Sequence, residues 1–347
     1  MNQTAAAPPW STNASLEAIA DRIKRSRSLV CFTHSKPDGD AIGSTLALAR
    51  AAERIGIQAS VVYLAPFPPR FLPLLGETNV IHENESCWSR SELLDADAIA
   101  ILDTGSWNQV ETAKAYIERR TSMAVLVDHH AHGNGDIASN RFINTAAASC
   151  CEIVAELCRI MLGVASCRDL PAEVAEPLYL GVATDTGWFR YSNTTPATLR
   201  LAADLIDAGA HHVTLFQMSE QNDQPSRLRL VTRALANMKL LADNRVALIP
   251  LSKKDIEETG AQPDDTGGLS DLPNSVSSVR VVATLVEVNS SLVKLSLRSK
   301  PPREGESLVD VNKIAQTFNG GGHVHASGAK LKMSLAEAVA AVTKALT

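Results

Sequence analysis

The chain has 347 residues, 45% hydrophobic and 20% charged, the balance of an ordinary globular protein with enough length for two domains. MNQTAAAPPW lacks a signal-peptide pattern, no apolar run approaches ~20 residues, and six cysteines show neither CxxC pairing nor framework spacing, so a cytoplasmic protein with no membrane partner is expected. The net charge of −5 is uneven: residues 1–227 carry 18 Lys and Arg against 26 Asp and Glu, and residues 228–347 carry 15 against 12, which argues against coating long nucleic acid but leaves room for a small anionic ligand on a local patch.

SLVCFTH (Ser28–His34) reads as a buried strand, followed by a helix over Gly43–Ile55 that Gly56 stops. QASVVYL (Gln58–Leu64), ADAIAILD (Ala96–Asp103) and SMAVLVD (Ser122–Asp128) are further strands. Aliphatic on both faces and separated by helices, they predict a parallel sheet covered on both sides. The Ser149–Glu152 capping box opens a helix that ends near Gly163, and Thr195-Pro196 opens another that ends at Gly209. The first α/β domain is therefore expected over residues 1–209. Residues 210–226, running into the polar SEQNDQPSR, read as a linker with room for a helix of its own. A smaller mixed-sheet α/β domain is expected over 227–347. There SLVKLSLRS (Ser291–Ser299) alternates cleanly, VRVVATLVEV (Val279–Val288) pairs with it through an Asn289-Ser290 turn, and a helix from Ser334 closes the chain with a box to Glu337.

The early strands end in ligand-type residues. HSKPDGDAIGS carries His34, Asp38 and Asp40, ILDTG carries Asp103, and VLVDHH carries Asp128, His129 and His130. YLGVATDTGWF carries Asp185 and is read as a fourth strand end. Singly, each has an ordinary use as a helix cap, a turn or a solvated imidazole pair. Loops at the carboxyl ends of a parallel sheet converge, however, and five carboxylates in one crevice repel one another. Divalent cations remove that repulsion, and a mixed carboxylate–imidazole set suits manganese, magnesium, iron or zinc. In the second domain, Gly320, Gly321 and Gly322 let backbone amides approach an anion as a nest, with His323 as a further donor and Arg298 as a charged fork.

HSKPDGDAIGS, ILDTG, VDHH and ATDTGWFR, in that order, resemble the four motifs of the DHH phosphoesterase superfamily. SLRS (Ser296–Ser299) and VNKIAQTFNGGGHVHASG (Val311–Gly328) resemble its DHH-associated C-terminal domain with the GGGH signature. The likeness covers the chain beyond residue 15, and the two-domain layout resembles the nanoRNase and pAp-phosphatase branch. It implies one metal on His34, Asp38 and Asp103, and a second on Asp40, Asp103, His129 and Asp185, with Asp103 bridging. The ions implied are two Mn2+, with Mg2+ or Co2+ as substitutes. Asp128 is then not a ligand but the residue that orients His129 or a neighbouring group, and His130 faces the scissile phosphate as hydrogen-bond donor or proton source. Ser299 and Asn312 join Arg298 and the glycines in holding substrate, and Arg190 either reaches the phosphate or pairs with a surface acid. The implied partners are short oligonucleotides and 3′-phosphoadenosine 5′-phosphate (pAp), with a homodimer as the assembly. Cyclic or linear dinucleotides, a RecJ-like single-strand activity, pyro- or polyphosphate hydrolysis and non-catalytic nucleotide sensing are the alternatives. Asn319 stands where relatives often have a fourth glycine, and His325 where a smaller residue is common. Trp188 and Phe189 serve either base stacking or core packing.

Overall fold

The structure, a computed structural model, describes residues 8–84 and 86–347. The chain divides into two compact units, the first ending at Asn222 and the second beginning at Asp223. In the first, helix α1 (Leu16–Lys24) precedes β1 (Ser28–Phe32), α2 (Gly39–Arg54), β2 (Gln58–Tyr63), β3 (Val80–His82), α3 (Ser91–Leu94), β4 (Ala98–Leu102), α4 (Lys114–Glu118), β5 (Ala124–Asp128) and β6 (Asn140–Ile143). Helices α5 (Cys150–Leu162), α6 (Ala172–Asp185), α7 (Pro196–Asp207) and α8 (His212–Glu220) follow. The strands form one sheet in the order β3-β2-β1-β4-β5-β6, parallel throughout. Every residue of β4 and β5 is buried, which is why these segments read as unbroken aliphatic runs. Leu29, Ala100 and Val127 face α1, α2, α5 and α6, whereas Val30, Ile101 and Leu126 face the layer of Leu93, Tyr116 and Ile117.

Two expectations change. Helix α2 begins at Gly39, not Gly43, because Asp38 caps it by accepting from the Asp40 and Ala41 amides. Asp40 therefore stands in the first helical turn. Asp185 closes helix α6 rather than a strand; the ladder ends at β6, and this apolar segment packs as a helix across α2 and α5.

The second unit opens with α9 (Pro225–Asn237), so residues 210–226 hold α8 and the first two residues of α9. Strands β7 (Lys239–Leu241) and β8 (Val246–Leu251), helices α10 (Lys253–Thr259) and α11 (Asp271–Ser275), and strands β9 (Val281–Asn289) and β10 (Leu292–Ser299) follow. Helix α12 (Val311–Gln316), β11 (Gly321–His323), β12 (Ala326–Leu331) and α13 (Leu335–Leu346) complete it. The sheet runs β11-β12-β10-β9-β8-β7, with β8 and β9 parallel and the other pairs antiparallel. Val293, Leu295 and Leu297 are buried against α12 and α13, as the alternation of β10 predicts, and the Ser334–Glu337 capping box is complete. Among the described residues, no helix is long and apolar enough to cross a membrane.

Candidate metal centre

The strand order of the first sheet reverses between β1 and β4, and a crevice opens at the carboxyl ends of such neighbours. Two residues beyond β1, His34 donates from Nδ1 to the Ser35 carbonyl at 2.9 Å. That bond leaves Nε2 as the free nitrogen, 3.5 Å from Asp103 Oδ2 and 3.8 Å from Asp38 Oδ1. Asp103 is the first residue past β4 and sits at φ 58°, a left-handed conformation that costs a non-glycine residue about 1–2 kcal/mol. Its Oδ1 is buried without a hydrogen-bond partner among the described residues.

β5 delivers the next group. Asp128 is fully buried, and its Oδ1 accepts from the His129 amide at 2.7 Å, the His130 amide at 3.2 Å and His130 Nδ1 at 2.7 Å. The ring that Asp128 orients is therefore that of His130; its hold on His129 is through the backbone. His129 Nε2 stands 3.4 Å from Asp103 Oδ1, 3.8 Å from Asp185 Oδ2 and 3.9 Å from Asp40 Oδ2. Asp40 reaches this point because α2 and α6 cross closely: a Cβ on Gly181 would overlap Cys151 Sγ and stand 2.9 Å from Asp40 Oδ1. The Asp40 carboxylate also receives the first amides of α5, Cys150 N at 2.6 Å and Cys151 N at 2.8 Å. Those donors went unseen in the sequence, where Ser149–Glu152 announces only a helix start. The box itself is half made: Ser149 Oγ accepts from Glu152 N, but the Glu152 carboxylate takes the Ala148 amide and the Thr198 hydroxyl.

Donor atoms of His34, Asp38 and Asp103 lie within 4.8 Å of one another, as do those of Asp40, His129 and Asp185, and those of Asp103, Asp128, His129 and His130. Burial pulls His34 and His129 toward neutrality, but the facing Asp103 carboxylate and the surrounding carboxylate charge outweigh it and hold both at about 9. Burial opposes ionisation of Asp103 too, yet the same two imidazoles keep it below its ordinary value. Burial, then Asp103 and Asp185, push Asp40 well above the carboxylate range, and Asp185 rises to about 6, chiefly by burial. The carboxylates thus favour the charged form of both imidazoles. Hard carboxylates, imidazoles with free Nε2 atoms and the orphaned Asp103 Oδ1 suit divalent ions.

The model of the DHH family, N-terminal domain, matches residues 28–182. A Thermus thermophilus protein named bifunctional oligoribonuclease and PAP phosphatase NrnA is 31% identical over 307 residues, covering 86% of this chain and 83% of that protein. The chain belongs to the DHH family. A Bacillus subtilis protein of the same name is 26% identical over 310 residues, covering 88% of this chain and 89% of its own. The crystal structure of an exopolyphosphatase-related protein from Bacteroides fragilis superposes with a TM-score of 0.85 at 27% identity, over 95% of each chain.

This DHH chain places its other predicted residues as follows. In the second unit Arg298, Ala326 and His323 stand opposite one another across β10, β12 and β11, so the arginine and histidine share a face, both exposed. One step along come Ser296, Gly328 and Gly321, with Asn312 Oδ1 4.0 Å from a Cβ built on Gly321. Gly321 and Gly322 are thus part of an edge strand, with Gly320 leading into it, rather than a free loop. Ser299 is not with Arg298: alternation turns it inward, where its hydroxyl donates to the Val309 carbonyl and meets His325 Nδ1 at 2.9 Å. Asn319 has φ 56°, a conformation asparagine tolerates in place of glycine. In the first unit Arg190 is exposed and donates from Nε to the Gly187 carbonyl at 2.6 Å, with no acid in ion-pair range among the described residues. Trp188 and Phe189 pack on Tyr179, and Trp188 also on Phe216. A residue that sequence reasoning missed is Trp10, whose Nε1 donates to the His130 carbonyl at 3.0 Å.

Proposed function

We propose that this chain is a divalent-cation-dependent phosphoesterase that removes nucleotides from the 3′ end of very short oligonucleotides and dephosphorylates pAp. One observation carries the reading: the His34, Asp38 and Asp103 group and the Asp40, His129 and Asp185 group adjoin, with His129 Nε2 3.4 Å from Asp103 Oδ1, a buried oxygen that makes no hydrogen bond among the described residues. The names of the Thermus and Bacillus relatives, both oligoribonuclease and PAP phosphatase, support the substrate class. Manganese is the proposed ion, with magnesium or cobalt as substitutes. The first unit is the catalytic domain, the second the substrate-binding domain, and the working form a cytoplasmic homodimer.

His34, Asp38 and Asp103 would hold one cation, and Asp40, Asp103, His129 and Asp185 the other. Bound there, such ions would supply a lowered pKa for an attacking water and positive charge against the phosphate. The α5 amides fix Asp40, and the Ser35 carbonyl fixes the tautomer of His34. Asp128 holds His130 by Nδ1 and favours its charged form; in that form Nε2 carries the proton that passes to the leaving oxygen as the phosphorus–oxygen bond breaks. Arg298 and His323 supply cationic and hydrogen-bonding contacts for a phosphate, over a face kept flat by Ala326, Gly328 and Gly321.

The test is a product profile on pAp, a linear dinucleotide, a five-mer and a cyclic dinucleotide, each with manganese, with magnesium and with chelator. Release of mononucleotides and phosphate from the first two, abolished by chelator and by Asp103→Asn, is expected. Binding of pAp without turnover would favour a sensor. The exopolyphosphatase-related description of the Bacteroides neighbour favours polyphosphate as the second reading, so polyphosphate belongs in the panel.

A further inference from the structure

Residues 11–14 run beside β6. The Arg141 carbonyl accepts from the Asn13 and Ala14 amides at 2.9 and 3.1 Å, and the Arg141 amide donates to Asn13 Oδ1 at 2.7 Å. Thr12 Oγ1 bonds both backbone groups of Ile143 at 2.8 Å. This strap lays Trp10 on the loops that follow β4 and β5. The indole fills a slot between two glycines: a Cβ on Gly105 would overlap its outer edge, and one on Gly133 would stand 2.7 Å from Cε3. Gly105 lies two residues past Asp103, and Gly133 three past His130. The same loops are tied to each other, with the Asn134 amide donating to the Gly105 carbonyl at 2.7 Å and the Trp107 amide to Asn134 Oδ1 at 3.0 Å.

We infer that Trp10 is a positioning residue for His130, a wedge that sets the spacing between the Asp103 loop and the His130 loop. Asp128 fixes the ring of His130, and the bond from Trp10 Nε1 fixes the backbone that carries it. A flat, rigid ring with one polar handle suits both tasks, and the glycine slot leaves no room for adjustment on either side. The inference rests on the reading of His130 as proton donor to the leaving oxygen.

The experiment compares Trp10→Ala, Trp10→Phe and His130→Ala on two substrates. One is a linear dinucleotide, whose leaving oxygen needs a proton. The other is the p-nitrophenyl ester of thymidine 5′-monophosphate, whose leaving group departs without one. In Trp10→Ala, kcat on the dinucleotide is expected to fall about 10²-fold, the effect of misplacing a catalytic group by ~1 Å. KM, bound metal and the nitrophenyl ester rate should be unchanged. Trp10→Phe, which refills the slot without the Nε1 bond, should recover most of the rate. Gly133→Ala pushes on the wedge from the opposite side and should reproduce the substrate-dependent loss, even if Trp10→Ala folds poorly. Equal losses on both substrates, or loss of metal in Trp10→Phe and Gly133→Ala, would overturn the inference. If His130→Ala distinguishes the substrates and the Trp10 and Gly133 variants do not, Trp10 alone is wrongly assigned. If His130→Ala does not distinguish them, the proton-donor reading falls and takes this inference with it.

Discussion

His129 and His130 are neighbours in sequence, yet their rings answer to different partners. His129 turns Nε2 toward Asp40, Asp103 and Asp185, and His130 turns Nδ1 toward Asp128. The two should therefore fail differently. His129→Ala should lose bound metal, seen by elemental analysis. His130→Ala should keep its metal and lose about 10²–10⁴-fold in kcat, the usual worth of a general acid. Equal metal loss in both would refute that division. Asp103, Asp128, His129 and His130 follow directly on aliphatic strands, which made their convergence legible, whereas Asp38 and Asp40 start one helix and Asp185 ends another. Which ring Asp128 holds was not legible there, since it depends on torsions about two adjacent side chains. Ser299 illustrates the same limit in reverse: its place beside Arg298 in SLRS suggested a shared role, and the two-residue repeat of β10 puts them on opposite faces.

At the scale of elements, the centre depends on how closely α2, α5 and α6 pack. Asp40 and Asp185 stand at the N-terminal turn of one helix and the last residue of another, and glycine at 181 lets those ends meet. Gly181→Ala should push Cys151 and Asp40 apart and destabilise the protein by about 1–3 kcal/mol, the typical cost of overpacking. Chemical denaturation measures that cost, and metal analysis should show weakened retention in the same variant. Unchanged stability and metal content would mean that the crossing adjusts freely. The sequence marks the stops of α2 and α5 clearly, through Gly56 and Gly163, but not the meeting of these helices with α6. Asp38 has two uses at once, capping α2 and facing His34, and reading it as part of an incoming loop postponed the helix start by four residues. Trp10 contacts a carbonyl 120 residues away, and nothing local in PPWST points to it.

For the whole molecule, every proposed cation ligand lies between His34 and Asp185, inside the first unit, so metal binding is linked to the folding of that unit. The sign of the pH dependence follows from the imidazoles. His34 and His129 sit at about 9 in the folded, metal-free protein against an ordinary 6.5. Their stabilising protonation is fully present below pH 6.5 and is lost as pH rises through 9. Metal binding needs the same rings deprotonated and strengthens over that range. The melting temperature with manganese minus that with chelator should accordingly widen from pH 6.5 to 9, by scanning calorimetry; a narrowing gap would contradict the protonation scheme. Residue order alone showed four of the six strands of the first sheet and, of the second, only β9 and β10, whereas the strap of residues 11–14 along β6 forms only once β6 exists. That strap also bears on where the molecule can be cut. The DHH family match begins at residue 28, and a fragment started there would leave the Asn140–Ile143 edge bare. An unprotected edge strand is a template for joining other chains. Such a fragment should form species larger than a dimer in light scattering at concentrations where the 347-residue chain does not.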